Sequence, residues 1–264
     1  MDVDEVFALL AGVAAAVWGA CWWWVPLWTV RRRRAWVGGW IAPTVAAGCL
    51  AGVWWVLTTM ADPAVRGHAE YELLFFAWGA AWLMWGLGAM GCFGVSWRDD
   101  VIERRNPAAL PAACGVMMGA TCVYAGSNIG TGPTIWTTLG PAALGTAAWL
   151  GAWIIMQSIG RVAEAVTVER DVASGVRLLG VLAAAGLIIG TAVAGDWESA
   201  MATVRDVVVI GWSAWVIGAV GGAMQRLLRP RVGARPDVWT AGWAPAAMLV
   251  GLALLWVLKA GAIR

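Results

Sequence analysis

Charge is what this sequence has least of. Only 13% of its 264 residues are Asp, Glu, Lys or Arg, about half the share of an ordinary soluble domain. Histidine occurs once, at His68, and lysine once, at Lys259. A single histidine excludes a membrane haem with two axial histidines from this chain. No Cys-x-x-Cys is present, which excludes zinc-ribbon and dithiol redox chemistry. A formal net charge of +2 supplies no basic patch for nucleic acid. There is no Gly-Lys-Ser/Thr, and Ile135 stands where Gly130-x-Gly132 would need its third glycine to bind a dinucleotide. Asp99-Asp100-x-x-Glu103 lacks the second facing acidic cluster that a Mg2+–diphosphate site requires. No cofactor is expected.

What is abundant is apolar chain. Hydrophobic residues make up 61% of the sequence. Seven stretches carry no charged residue: 6–30, 35–61, 73–97, 106–160, 178–195, 207–225 and 238–258. A helix needs about 20 apolar residues to cross a bilayer, so six stretches fit one span each. The stretch 106–160 is long enough for two, and Ser127-Asn128-Ile129-Gly130-Thr131-Gly132-Pro133-Thr134 divides it with turn chemistry. The expected fold is all-α, a polytopic helical membrane bundle forming a single domain over 1–264. Its eight spans are expected near 6–30, 35–61, 73–97, 107–126, 135–157, 178–195, 207–225 and 238–258. With no Asp, Glu, Lys or Arg inside any of these spans, a proton relay of the usual kind is not expected.

Orientation follows from the basic residues. One set of loops holds fourteen arginines: Arg31 to Arg34, Arg98, Arg104, Arg105, Arg161, Arg170, Arg177, Arg226, Arg229, Arg231 and Arg235. The other side holds Arg66, Arg205, Lys259 and Arg264. The positive-inside rule makes the first set cytoplasmic and both termini extracytoplasmic. Met1-Asp2-Val3-Asp4-Glu5 is acidic and precedes a long apolar run, unlike a cleaved signal peptide, so span one is read as retained. Seventeen arginines to one lysine point to a GC-rich bacterial genome, and a bacterial plasma membrane is the expected location.

The basic loops begin near 31, 98, 161 and 226, a period of about 65 residues. Each of the first three opens a helical hairpin, over 31–97, 98–160 and 161–228, with span one before them and a final span at 238–258. At an offset of 65, Arg105 falls on Arg170, Asn106 on Asp171, Gly115 on Gly180 and Ala120 on Ala185. Asn106 and Asp171 are N-cap residue types, and Pro107 suits a first helical position. Arg104-Arg105-Asn106-Pro107-Ala108-Ala109 entering an apolar helix, with a second copy some 65 residues on, resembles the YjfL-type bacterial inner-membrane proteins over residues 98–228. The resemblance implies tandem two-span units and a role at the cell envelope. It carries over no catalytic residue.

Glycine pairs at small-xxx-small spacing, Gly48/Gly52, Gly115/Gly119, Gly186/Gly190 and Gly218/Gly222, suit close helix packing in lipid or association of copies. Twenty-two tryptophans fall both near the expected interfaces and deeper, several at i,i+4 spacing. They read as interfacial anchors and packing residues, or as an aromatic groove for a lipid, polyprenyl or pigment ligand. Segment 161–177 places Val162, Ala165, Val166, Ala173 and Val176 on one stripe of a short interfacial helix.

The candidate ligand or pore loop comprises Ser127, Asn128, Gly130, Thr131, Gly132 and Pro133. It is either a surface turn or a loop dipping into the bundle, where Asn128 would be buried and hydrogen-bonded. Asp62, His68 and Glu70 form a weaker candidate for a divalent cation on the same side. The expected partners are membrane lipids, with a further copy or another membrane protein as an open possibility. A non-enzymatic membrane assembly or envelope-homeostasis component is the leading reading. A transporter or channel for a small or lipidic solute is the alternative, and a membrane-embedded lipid-modifying enzyme fits least. The expected topology is directly testable in a cysteine-free background. Cysteine at Arg33 or Gly233 should react only with membrane-permeant reagents in intact cells, and cysteine at His68 with impermeant ones. Labelling of position 33 from outside contradicts it.

Overall fold

A computed structural model describes residues 1–33, 38–132, 134–230 and 237–261. Its elements are all helical, and the one β contact among the described residues is an isolated parallel bridge between Ala61 and Gly130. The long helices are α1 (Val3–Arg33), α2 (Gly38–Thr59), α3 (Ala69–Ala89), α4 (Ala109–Gly126) and α5 (Trp136–Gly160). A short α6 (Val162–Thr167) leads into α7 (Val172–Val193), then α8 (Ala200–Val209), α9 (Trp212–Leu227) and α10 (Ala244–Gly261). Seven helical segments are long and apolar enough to cross a membrane; α8 and α9, bent by 42° at their junction, make an eighth if taken together. This is the helical, membrane-compatible architecture expected from composition.

Several boundaries differ from the sequence reading, among them the expected span 207–225, which is broken between α8 and α9. Helix α7 starts at Val172 rather than near 178, because Asp171 caps it by accepting from the Ser174 amide at 2.8 Å. Span three ends early: α3 passes into a tight 3-10 turn at Met90–Phe93, and Gly94 stops it in a left-handed conformation (φ 76°). Trp97 therefore lies outside that span, in a π-helical turn over Trp97–Glu103. Segment 161–177 is not one helix. Val162, Ala165, Val166, Ala173 and Val176 are all buried, as the stripe implied, but Arg170 at φ 52° separates α6 from α7. Arg31, Arg32 and Arg33 continue α1 instead of forming a loop; Arg34, Arg231, Arg235 and Arg264 lie outside the described residues.

The helices lie in two layers. In one, α2 packs on α4, α4 along α7, and α7 along α10; in the other, α1 packs on α3 and α5 on α9. Helix α7 is the centre: 83% of its span is buried, against 11% for α1. The α4–α7 seam is backbone against backbone. A Cβ on Gly126 would collide with Gly190, one on Gly186 with Gly119, and one on Gly190 with the Cys122 carbonyl. No hydrophobic effect draws helices together in lipid, so such close approach, with its dispersion contacts, is what holds them.

Indole N–H groups tie the helices further. Trp149 donates to the Leu182 carbonyl at 2.9 Å, joining α5 to α7, and Trp215 to the Ala148 carbonyl at 3.0 Å, joining α9 to α5. Trp78 reaches the Ala8 carbonyl in α1 at 3.1 Å, and Trp82 the Thr146 hydroxyl in α5 at 2.9 Å. Trp97 donates to the Trp23 carbonyl at 2.8 Å and Trp256 to that of Ile210 at 3.2 Å. Many of the tryptophans are thus cross-helix ties as well as bulk.

Several local geometries recur 65 residues apart. Arg105 (φ 47°) and Arg170 (φ 52°) are both left-handed. Asn106 N donates to Asp100 O and Asp171 N to Ala165 O; Arg104 N donates to Asp99 O and Glu169 N to Glu164 O. Gly130 (φ 109°) and Gly195 (φ 119°) form a further pair.

Candidate functional site

The loop that follows α4 begins as a helix end. Ser127 and Asn128 are buried, and both side chains donate back to the Tyr124 carbonyl, at 2.8 and 2.7 Å. Tyr124, fully buried, donates in turn to the Phe75 carbonyl at 2.6 Å, which fixes this end of α4 against α3. Asn128 is thus buried and hydrogen-bonded, but its partner is its own helix, one turn back.

The chain then leaves the helix and runs between the turns that follow α2 and α7. Gly130 bridges Ala61 on one side. On the other, Gly195 N donates to Ile129 O and Trp197 N to Thr131 O, each at 2.8 Å. A side chain at Gly130 would overlap the Gly195 carbonyl, so both the positive φ and the spacing require glycine there. Two carboxylates lock this stack. Asp62 accepts from the Ala64 and Gly132 amides at 2.7 and 3.1 Å. Asp196 accepts from the Thr131 hydroxyl at 2.7 Å and the Thr131 amide at 2.8 Å. Those donors, the hydroxyl first and then the amide, hold the Asp196 carboxyl below its ordinary range. Pro133 lies outside the described residues.

The stacked loop is a wall between two cavities. The larger, about 620 Å³, is lined by polar groups including Thr131, Thr137, Asp196, Glu198, Arg205 and Asp206. The smaller, about 210 Å³, is reached by Glu5, Asp62, Tyr71, Asn128 and Thr138. Both cavities sit at the acidic, arginine-poor end of the bundle. Ser127, Gly130, Thr131 and Gly132 line the larger one, and Asn128, Gly130 and Gly132 the smaller. The arrangement offers carboxylates and hydroxyls to a polar or cationic solute.

Asp62, His68 and Glu70 are not brought together. Among the described residues no three His, Cys, Asp or Glu side chains gather as a metal site. Asp62 is engaged in its turn, His68 precedes α3 with its ring edge-on to Tyr71, and Glu70 is exposed.

At the arginine-rich end lies a cluster that the sequence reading missed. Arg177 was assigned to a basic loop; it sits inside α7 and is fully buried. Its Nε donates to Gln225 Oε1 at 2.8 Å and its Nη2 to Ser174 Oγ at 3.0 Å, with Asp171 Oδ2 at 3.5 Å. Nη1 donates to the Ala241 carbonyl. Gln225 Nε2 also donates to Ser174 Oγ, at 2.8 Å. One guanidinium thus joins α7, α9 and the π turn Trp239–Trp243 that opens α10. The signal was present in the sequence: Asp171 read as an N-cap puts position 177 on the second turn of a span. The expectation of no ionisable group within a span is corrected accordingly.

No family model matches the chain, and neither a curated protein nor a solved structure matches it.

The Arg177 cluster predicts a large mutational cost. Arg177→Met would leave the Asp171 carboxylate and the Gln225 carbonyl buried without their cation, a loss of about 3–5 kcal/mol. Denaturant unfolding in detergent should register this as a clear drop in midpoint, and a wild-type midpoint would refute the assignment.

Proposed function

We propose that the chain is a non-catalytic, multi-pass component of a bacterial plasma membrane, built from tandem helical hairpins, that works by associating with another copy of itself or another membrane protein. The repeat reading is supported by the left-handed arginines, loop hydrogen bonds and glycines that recur at 65 residues. It is also supported by Gly115 packing on Leu179 Cα as Gly180 packs on Ala246 Cα, at 2.6 and 2.5 Å from an added Cβ. On this reading α8 and α9 together fill the place of α5 in the next hairpin, which makes eight spans. The arginine-rich end faces the cytoplasm and both termini lie outside.

Two facts favour association over catalysis. The buried polar side chains Asn106, Asn128, Ser174, Arg177 and Gln225 all bond to helix backbones or to one another. They hold the fold and present no reactive group. The observation that carries the proposal is on α2. The glycine pairs 115/119, 186/190 and 218/222 are all consumed by packing inside the bundle, whereas Gly48 and Gly52 have open space above them. Two glycines one turn apart on an outward helix face are the geometry for a close helix–helix contact in lipid.

A cysteine at Gly48 or Gly52, without the native cysteines, should form a disulfide-linked product in membranes, and one at Val17 of α1 should not. Gly48→Leu should abolish association while leaving the unfolding midpoint unchanged. Equal cross-linking at all three positions contradicts the reading. The polar cavity of about 620 Å³ favours solute binding as a second reading; solute flux into proteoliposomes above the empty-vesicle rate would select it.

A further inference from the structure

The smaller cavity at the acidic end, about 210 Å³, has a chemistry distinct from that of its larger neighbour. It lies between the first turn of α1, the turn after α2, the start of α3 and the chain that follows α4. Among the described residues its charged lining is two carboxylates, Glu5 and Asp62, with no Lys, Arg or His. Glu5 Oε2 accepts from the Asp2 amide at 2.8 Å and the Tyr71 hydroxyl at 3.1 Å, and the terminal ammonium stands 3.9 Å away. Its Oε1 meets no donor among the described residues. Asp62 takes one amide on each oxygen, and each keeps a further lone pair.

Asn128 is an independent pointer to the same space. Its side chain is buried, at 6% exposure, and lines the cavity. The side-chain nitrogen is committed to the Tyr124 carbonyl. Its Oδ1 meets no donor among the described residues, yet is not sealed inside the protein. A carbonyl so placed calls for a donor from the cavity itself.

The rest of the wall is hydrocarbon. Leu74 and Phe75 are both buried, and Val65 and Ile135 join them. The volume falls below the ~300–1,000 Å³ usual for drug-sized ligands.

We propose that this cavity binds a small protonated primary amine. Its ammonium lies among Glu5, Asp62 and Asn128, and its alkyl part against Leu74, Phe75 and Ile135. The two carboxylates select a cation. The unmet acceptors select N–H donors over a quaternary ammonium, which has none. The apolar wall selects an alkyl group over a hydrated inorganic ion, and the volume keeps that group short. The site is separate from the Gly48/Gly52 face and from the larger cavity, so its failure leaves both of those readings standing.

The test is isothermal titration calorimetry on the full chain in detergent, corrected for empty micelles. The probes are propylammonium chloride, tetramethylammonium chloride and sodium butyrate. Propylammonium should bind about tenfold more tightly than tetramethylammonium, butyrate should not bind, and sodium at equal concentration should not compete. Glu5→Gln keeps an oxygen for the Tyr71 hydroxyl and should weaken propylammonium about tenfold at an unchanged unfolding midpoint. Glu70→Gln, at an exposed acid outside the cavity, should leave the affinity as it is. Asn128→Ala should also weaken binding; because it removes the bond to Tyr124, Glu5→Gln decides the matter if that variant unfolds. Absence of propylammonium binding, equal affinity for tetramethylammonium, or an affinity that Glu5→Gln leaves unchanged would overturn the proposal.

Discussion

Backbone contact between α4 and α7 is the constraint from which the rest of the arrangement follows. Gly119, Gly126, Gly186 and Gly190 let two main chains meet where any side chain would hold them apart. In lipid, where apolar surface gains nothing by leaving the solvent, that proximity is the main source of helix affinity. It also sets positions at both ends of the seam. At the acidic end it brings the chain after α4 alongside the chain after α7, so that Gly130 and Gly195 touch and Thr131 reaches Asp196. At the other end Gly175 packs on the Ala108 carbonyl, and Asn106 donates to the Val166 carbonyl at 2.7 Å.

Around this seam, polar side chains act as ties rather than as reagents. Arg177 gathers three elements through one planar group, each of whose three nitrogens donates to an acceptor, which makes a buried cation tolerable. The indoles do the same at lower cost. A tryptophan contributes dispersion with its rings and one N–H that can reach a carbonyl already bonded within its own helix, as Trp149 does with Leu182. Other indoles, such as Trp18 on α1 and Trp85 on α3, stay exposed on the outer surface of the bundle.

How much of this was legible in the sequence depended on range. Apolar runs anticipated an all-helical chain with seven or eight helices of membrane-spanning length, because bilayer thickness is a length that such a chain must match. The 65-residue offset pairs Arg105 with Arg170, and both are left-handed (φ 47° and 52°) in the turn before a helix; the parallel stops at the cap, where Asp171 caps α7 but Asn106 does not cap α4, which starts at Ala109, past Pro107. Other features failed for physical reasons. Counting charge-free residues placed the start of α7 six positions late, because it took a buried, fully partnered arginine for a solvated one. Its partner Gln225 lies 48 residues away, beyond any local pattern. The loop 127–134 was singled out by its composition, but its neighbours, Ala61 and Gly195, come from the turns after α2 and α7. His68 and Asp62 looked alike as ligand types, and only the fold shows that Asp62 is held by two amides.

The measurement that bears most directly on this account is a volume series at glycines, read as unfolding stability in detergent. Alanine at Gly126, Gly186 or Gly190 should lower stability by roughly 1–3 kcal/mol, and valine by more, because the opposing group is backbone and cannot turn aside. The same substitutions at Gly140 and Gly251, which have open space above them, should stay within about 0.5 kcal/mol. If alanine at Gly186 is tolerated as well as alanine at Gly251, the α4–α7 seam is not what holds the bundle.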